Sequence, residues 1–228
     1  MKAVFLSLSI ACLILVSSFT ISFQDRYDQA MIYCEEVQPS FNTIANSYGL
    51  DYREVLPIAF PECVRYSSIK DEFEVLSLEY VYTQLGKDGA DFSVGHFQMK
   101  PSFLEQIENG ITQLEGKQIL KDRFAYSIRD VKKQRAERIA RLTNDKWQIH
   151  YLCAFFTLME VKYQEEEWTE TVDKINFYAA AYNYGFNSKK EEIKNWQTVQ
   201  AFPYGDGGEK EAYSTIASSY YNKITKHE

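Results

Sequence analysis

The sequence predicts a mainly α-helical domain with little β-sheet. Residues 145–164 are rich in apolar side chains over a length typical of a buried helix, and apolar residues recur at helical spacing in residues 41–48. Glycine and proline are scarce, with 10 and 5 among 228 residues, and no linker or internal repeat divides residues 24–228. We therefore expect those residues to form a single domain with a substantial hydrophobic core.

The first 23 residues are typical of an export sequence. Lys2 precedes an apolar run from Ala3 to Val16, which is the pattern of a secretory signal peptide. The run is short for a membrane-spanning helix, which needs roughly 20 apolar residues, so a retained membrane anchor is the alternative. Either interpretation places the rest of the chain outside the cytoplasm, in the periplasm or the cell envelope.

We expect the domain to consist of several helices and one irregular or β segment. Asp51 is a suitable N-cap for a helix that Pro61 is expected to kink or end near Glu62. Between Glu62 and Gly95 the chain is expected to form a small irregular or β excursion, because polar residues and glycines surround its apolar stretch. The basic run from Arg129 to Arg141 is interpreted as an exposed helix face, or as a patch that faces an anionic polymer or a membrane. The other segments expected to be helical are 25–36, 41–48, 145–164, 170–184 and 209–225.

Composition and motifs exclude several function classes. With 25 basic and 32 acidic residues, the net charge of −7 lacks the footprint of a nucleic-acid-binding protein. The sequence contains no phosphate-binding glycine loop, no dinucleotide fingerprint and no serine-hydrolase elbow, and its three histidines lack metal-ligand spacing. We therefore expect neither a metal nor another cofactor.

The mature chain would keep three cysteines. Cys34, Cys63 and Cys153 are an odd number, so an exported protein could form one disulfide and keep one free thiol. The sequence does not choose the pair. We interpret Cys63 as a small buried residue.

Glu62 is the first candidate for chemistry. It lies in the apolar fragment from Ile58 to Cys63, where poor hydration would disfavour the ionised carboxylate and raise its pKa. A carboxylic acid that stays protonated near neutral pH can act as a general acid. The alternative is an exposed glutamate at a helix end.

Two further fragments combine small residues with hydrogen-bonding side chains. In the fragment from Gly95 to Pro101, the glycine permits close backbone approach and Gln98 offers both a donor and an acceptor. In the fragment from Ala179 to Gly185, Tyr182 and Asn183 could bond a ligand or a carboxylate. The alternatives are a turn that enters a helix and a well-packed helix end.

In this order, the fragments resemble the lytic transglycosylase domain of the soluble-transglycosylase (SLT) type, within the lysozyme-like superfamily. The family pattern has a Tyr-Gly pair, here Tyr48 and Gly49, before a helix that ends at the catalytic glutamate, here Glu62. Its G-L-M-Q-x-x-P motif corresponds to residues 95–101, and its A-Y-N-A-G motif corresponds to residues 181–185. The resemblance covers roughly residues 40–222. This chain departs from the pattern at Cys63 and at the His-Phe pair that follows Gly95.

The resemblance implies a lysozyme-like fold and cleavage of the peptidoglycan glycan strand between N-acetylmuramic acid and N-acetylglucosamine. Glu62 would be the single general acid and base, and the product would carry a 1,6-anhydro ring. Gly95 and Gln98 would hold substrate groups, Tyr182 would hydrogen-bond near Glu62, and Asn183 would orient the site.

Two alternatives stay open at this point. A lysozyme-type peptidoglycan hydrolase would need a second carboxylate, and Asp91 is the candidate because it lies four residues before Gly95. Asp91 could instead be a turn-forming residue. A non-catalytic, glycan-binding envelope protein could also keep the same fold.

Overall fold

The computed structural model describes residues 22–66, 68–203 and 210–226, and it is mainly helical, as predicted. One short antiparallel pair of strands completes the described secondary structure. The helices are α1 Phe23–Asn46, α2 Tyr52–Arg65, α3 Ser68–Ser77, a π-helical turn Leu78–Tyr82, α4 Thr83–Leu85, α5 Pro101–Gln113, α6 Gln118–Phe124, α7 Val131–Leu142, α8 Asp145–Lys162, α9 Thr171–Tyr184, α10 Lys190–Trp196 and α11 Tyr213–Thr225. The strands are β1 Gln200–Phe202 and β2 Glu211–Ala212.

Helices α1 and α2 form a helical hairpin. Ser22 and Asp25 make a capping box that starts α1, and the Asp51 side chain accepts a hydrogen bond from the Arg53 backbone N–H at 2.9 Å, which confirms the predicted N-cap of α2. The two segments predicted as separate helices before residue 49 are one continuous helix, with Pro39 inside it. Gly49 turns the chain with a φ of +73°, where a side chain would be strained.

The second helix is the centre of the fold. All residues from Val55 to Val64 are buried, and α2 packs against α1, α8, α9 and α11. We expected Pro61 to kink or end this helix near Glu62, whereas the helix continues to Arg65. Packing on all sides favours the helical path strongly enough to offset the hydrogen bonds that its two prolines cannot donate.

The expected irregular or β excursion after Glu62 is mostly helical, which corrects that prediction. Helix α3, the π turn and α4 cover residues 68–85, and only the following stretch up to residue 100 is irregular. Its aromatic and β-branched residues favour strands by propensity. However, Leu78 and Tyr82 are four residues apart and both are fully buried, so packing selects a helical path. The described strands pair elsewhere, with Gln200 opposite Ala212.

Part of the predicted basic face points inward. Arg138 and Arg141 on α7 are only 8% and 5% exposed, so neither interpretation of the run as a surface feature holds for them. Arg138 pairs with Glu108 on α5 through Nη2 at 2.6 Å and Nε at 3.1 Å. The hydroxyl groups of Tyr126 and Tyr151 also donate to Glu108, each at 2.6 Å. This polar cluster ties α5, α7 and α8 together.

The predicted signal or anchor segment, residues 1–23, lies outside the described residues up to residue 21. Within the described ranges, every helix is too short or too polar to span a bilayer.

The cluster around Glu108 predicts that replacing the buried Arg138 costs far more stability than replacing an exposed arginine of the same basic run. Replacing Arg138 with Met should lower the free energy of unfolding by about 3–5 kcal/mol, because the Glu108 carboxylate would lose its cation while staying buried. Chemical denaturation in urea measures this change. The control is Arg129→Met, at an exposed position of the same basic run, which should change stability by less than about 0.5 kcal/mol. Equal effects of the two substitutions would contradict the described role of Arg138.

Candidate active site around Glu62

The Glu62 carboxyl group is buried near the carboxyl end of α2. The residue is 5% exposed, and burial raises its pKa to about 7. The charge of Arg65 and a hydrogen bond from Asn183 both lower this pKa, but they only partly offset the burial. The raised pKa that the apolar sequence around Glu62 predicted is therefore confirmed, and the alternative of an exposed helix-end glutamate is wrong.

Arg65 is a cation in contact with this carboxyl group. Its Nη1 lies 3.4 Å from Glu62 Oε2, and the two residues are three apart on the same helix. This is a long contact for a charged hydrogen bond. Arg65 thus stabilises the carboxylate form without fixing it in a tight ion pair.

Asn183 presents its amide donor to Glu62. The indole N–H of Trp196 donates to Asn183 Oδ1 at 2.9 Å. Since an indole nitrogen can only donate, the atom it meets must be the amide oxygen, and the NH₂ group faces Glu62. Trp196 lies on α10, eleven residues beyond Gly185, and the sequence analysis did not find it. A hydrogen bond formed across two helices leaves no local pattern.

The predicted Gly-x-x-Gln fragment is a tight turn with two left-handed residues. Gly95 has a φ of +75° and Gln98 a φ of +47°. The turn is closed by reciprocal backbone bonds between Val94 and Met99, at 2.9 and 3.1 Å, and by the Gln98 N–H donating to the Gly95 carbonyl at 2.9 Å. The Gln98 side-chain amide donates to the same carbonyl at 3.0 Å. The side-chain NH₂ group of Gln98 therefore stabilises the turn to which Gln98 belongs.

Gln148 on α8 also holds this turn, and no sequence motif marks it. Its amide oxygen accepts from the Phe97 N–H at 3.1 Å, and its amide nitrogen donates to the carbonyls of Val94 and Leu142 at 3.2 and 2.6 Å. A Cβ atom at Gly95 would overlap this amide. Glycine is thus required at position 95 for two reasons, its backbone angle and the approach of Gln148.

Tyr182 connects α9 to the turn. Its hydroxyl group donates to the Phe97 carbonyl at 2.7 Å. Burial raises the pKa of Tyr182 well above its usual range, and the charge of the nearby Glu62 raises it further. Tyr182 therefore lies near Glu62, as expected, but its hydroxyl group hydrogen-bonds the turn.

Asp91 and Asp71 contact different parts of the region around the turn. Asp91 uses both carboxylate oxygens on Ser102, accepting from its N–H at 2.9 Å and from its hydroxyl at 2.7 Å, so it anchors the first turn of α5. Asp71 on α3 accepts from the Gly95 N–H at 2.5 Å, and burial raises its pKa. The carboxylate bonded to the turn is thus Asp71, which the sequence analysis did not consider.

Three stacked rings close one side of the turn. The His96 ring lies between Tyr33 and Tyr66, with centroid distances of 3.6 and 4.0 Å. His96 Nδ1 is 3.7 Å from Asp145 Oδ1. The stack joins α1, the end of α2 and the turn.

Five predicted residues thus come together: Glu62, Asn183 and Tyr182 directly, and Gly95 and Gln98 through the turn that Tyr182 holds. A cavity of about 530 Å³ lies elsewhere, at the junction of α1 and α2. It is lined by Asn42, Asn46, Gly49, Leu50, Asp51, Tyr52 and Arg53.

No family profile, characterised protein or solved structure matches this chain.

The turn geometry predicts that two glycines of similar backbone angle respond differently to alanine. Gly116 has a φ of +66° with open space around it, so Gly116→Ala should cost only the left-handed strain, about 1 kcal/mol. Gly95→Ala adds the overlap with Gln148 and should cost at least twice as much. Denaturation midpoints of both variants measure the difference. Similar losses would show that Gln148 does not need the space at position 95.

Proposed function

We propose that this chain is a peptidoglycan lytic transglycosylase of the SLT type, with a lysozyme-like fold. It would cleave the glycan between N-acetylmuramic acid and N-acetylglucosamine and leave a 1,6-anhydro ring. The observation that carries the proposal is the Glu62 carboxyl group, which is buried, has a pKa of about 7 and bonds Asn183 of the Ala-Tyr-Asn-Tyr-Gly fragment.

A carboxyl group with this pKa suits both halves of the proposed reaction. The protonated Glu62 gives its proton to the glycosidic oxygen, the bond from that oxygen to C1 breaks, and positive charge develops on the sugar ring. The sugar's own 6-hydroxyl oxygen then bonds to C1, and its proton passes to the Glu62 carboxylate. The acid is restored, no water is consumed, and one carboxylate performs both steps.

Arg65 and Asn183 support the charged form in this cycle. Once Glu62 has lost its proton, the Arg65 charge and the Asn183 amide stabilise the carboxylate. Without them, burial would hold the pKa higher and make the acid reluctant to release its proton. Trp196 acts indirectly, because its hydrogen bond to the Asn183 amide oxygen turns the amide NH₂ group toward Glu62.

The turn from Gly95 to Gln98 is the proposed wall of the glycan site. Its backbone is fixed by Gln148 and Tyr182, so its polar groups would meet the sugar in one arrangement. Peptidoglycan strands would be the partner, and an exported protein in the periplasm or cell envelope would meet them. No nucleic acid or cofactor is part of the proposal.

Hydrolysis by a lysozyme-type mechanism is the second candidate, and Asp71 favours it more than Asp91 does. Both oxygens of Asp91 are held by Ser102, whereas Asp71 is a partly buried carboxylate bonded to the candidate turn. A water held by Asp71 would then replace the 6-hydroxyl as the nucleophile.

Mass spectrometry of the products from purified peptidoglycan tests the proposal. The native protein should release glycan fragments one water lighter than hydrolysis products, and Glu62→Gln should lower the rate at least about 100-fold, because the general acid is gone. The matched control is Glu36→Gln, an exposed position on α1, which should keep full activity.

The other outcomes separate the alternatives. Hydrated products that need both Glu62 and Asp71, judged with Asp71→Asn, would make the protein a hydrolase. Glycan binding without any product from a folded native protein would favour the non-catalytic binding protein. Activity that survives Glu62→Gln would contradict both enzyme assignments.

A further inference from the structure

Two of the buried cysteines lie on the two helices of the hairpin. Cys34 on α1 is 1% exposed and Cys63 on α2 is 6% exposed, and both are free thiols. Cys153 is also a buried free thiol, but it lies on α8 with Arg123 as its charged neighbour. The arrangement therefore distinguishes one pair of thiols from the third.

The hairpin brings Cys34 and Cys63 to the same level. Cys34 lies twelve residues before the end of α1 at Asn46, and Cys63 lies eleven residues after the start of α2 at Tyr52. At 1.5 Å per residue, both are about 17 Å from the turn that joins the two antiparallel helices. Nearly equal distances from the shared turn place the two residues at the same level of the hairpin.

The facing sides of both helices are fixed at this level. Cys34 shares the buried face of α1 with Ala30, and the Cys63 thiol, which donates to the Ala59 carbonyl at 3.8 Å, lies beside the Cys34 thiol. One turn earlier on α2, the Phe60 ring stacks on Tyr220 at 3.9 Å and meets the edge of Tyr27 at 5.0 Å. The two thiols are thus neighbours in a packed region of the core.

We propose that Cys34 and Cys63 form a disulfide bond when the protein folds under oxidising conditions, and that Cys153 stays a free thiol. The oxidant is a second disulfide, R–S–S–R. One cysteine thiolate attacks it and releases R–S⁻, and the other then attacks the mixed disulfide and releases the second R–S⁻. One S–S bond is exchanged for another, and each cysteine thiol gives up one proton.

Burial determines when this exchange can occur. The attacking species is the thiolate, and burial raises the pKa of the Cys63 thiol well above its usual range. A folded, reduced protein should therefore resist oxidation, whereas a chain that folds in the presence of a disulfide reagent should close the bond.

The bond would fasten the helix that carries Glu62. It closes a loop that contains the second half of α1, the turn at Gly49 and α2 up to the residue next to Glu62. This inference stands without the proposed function, since it concerns only the hairpin and its thiols.

The test is refolding of the full chain in a buffer of oxidised and reduced glutathione, followed by peptide mapping without reduction. The expected result is one linked peptide pair that joins Cys34 to Cys63, with Cys153 alkylated by iodoacetamide. The intact mass should be about 2 Da below that of the reduced chain. A map that links Cys153 or Cys12 instead, or that finds Cys34 and Cys63 both alkylated, would overturn the proposal.

Thermal unfolding of variants adds a second readout. Reduction should lower the Tm of the oxidised native protein by roughly 5–10 °C, because the bond constrains the unfolded chain. The matched control Cys153→Ala should keep this redox-dependent shift, and Cys34→Ala or Cys63→Ala should lose it. A shift that survives in both hairpin variants would also overturn the proposal. The peptide map needs no variant, so a variant that fails to fold leaves the test intact.

Discussion

The burial of one carboxyl group on a fully packed helix is the constraint on which the rest of the site depends. Helix α2 is enclosed from Val55 to Val64, so the Glu62 side chain has little access to water. Its negative charge is therefore costly, and the neutral acid persists up to a pH of about 7. Arg65 and Asn183 offset part of that cost, and this balance keeps the proton both available and releasable near neutral pH.

The surrounding elements hold the partners of that carboxyl group in fixed positions. Trp196 orients the Asn183 amide, Tyr182 donates to the Phe97 carbonyl, and Gln148 accepts from the Phe97 N–H of the same turn. These three side chains lie on different helices, and each restricts the position of a group near Glu62. A preorganised environment of this kind is what an acid and base catalyst requires.

The helical class and the identity of the central acid could be predicted because they depend on local sequence. An apolar fragment around Glu62 predicts burial, and the Asp51 cap follows from a single residue. The helical path after Glu62 could not be predicted, since residues 68–85 mix helix-favouring and strand-favouring residues and the packing of Leu78 and Tyr82 decides between them. Gln148, Trp196 and Asp71 were missed for a related reason. Their roles come from contacts between distant parts of the chain, which leave no spacing in the sequence.

The central claim is that Glu62 is still protonated close to neutral pH. Infrared difference spectroscopy between the native protein and Glu62→Gln, from pH 4 to pH 10, measures the protonated carboxyl band of this residue alone. Because burial raises the pKa, the account predicts that the band persists through mildly acidic pH and disappears with a midpoint of about 7. A midpoint near the ordinary glutamate value of about 4.3 would contradict it, because Glu62 would then already be ionised at the near-neutral pH at which the proposed reaction needs it as an acid.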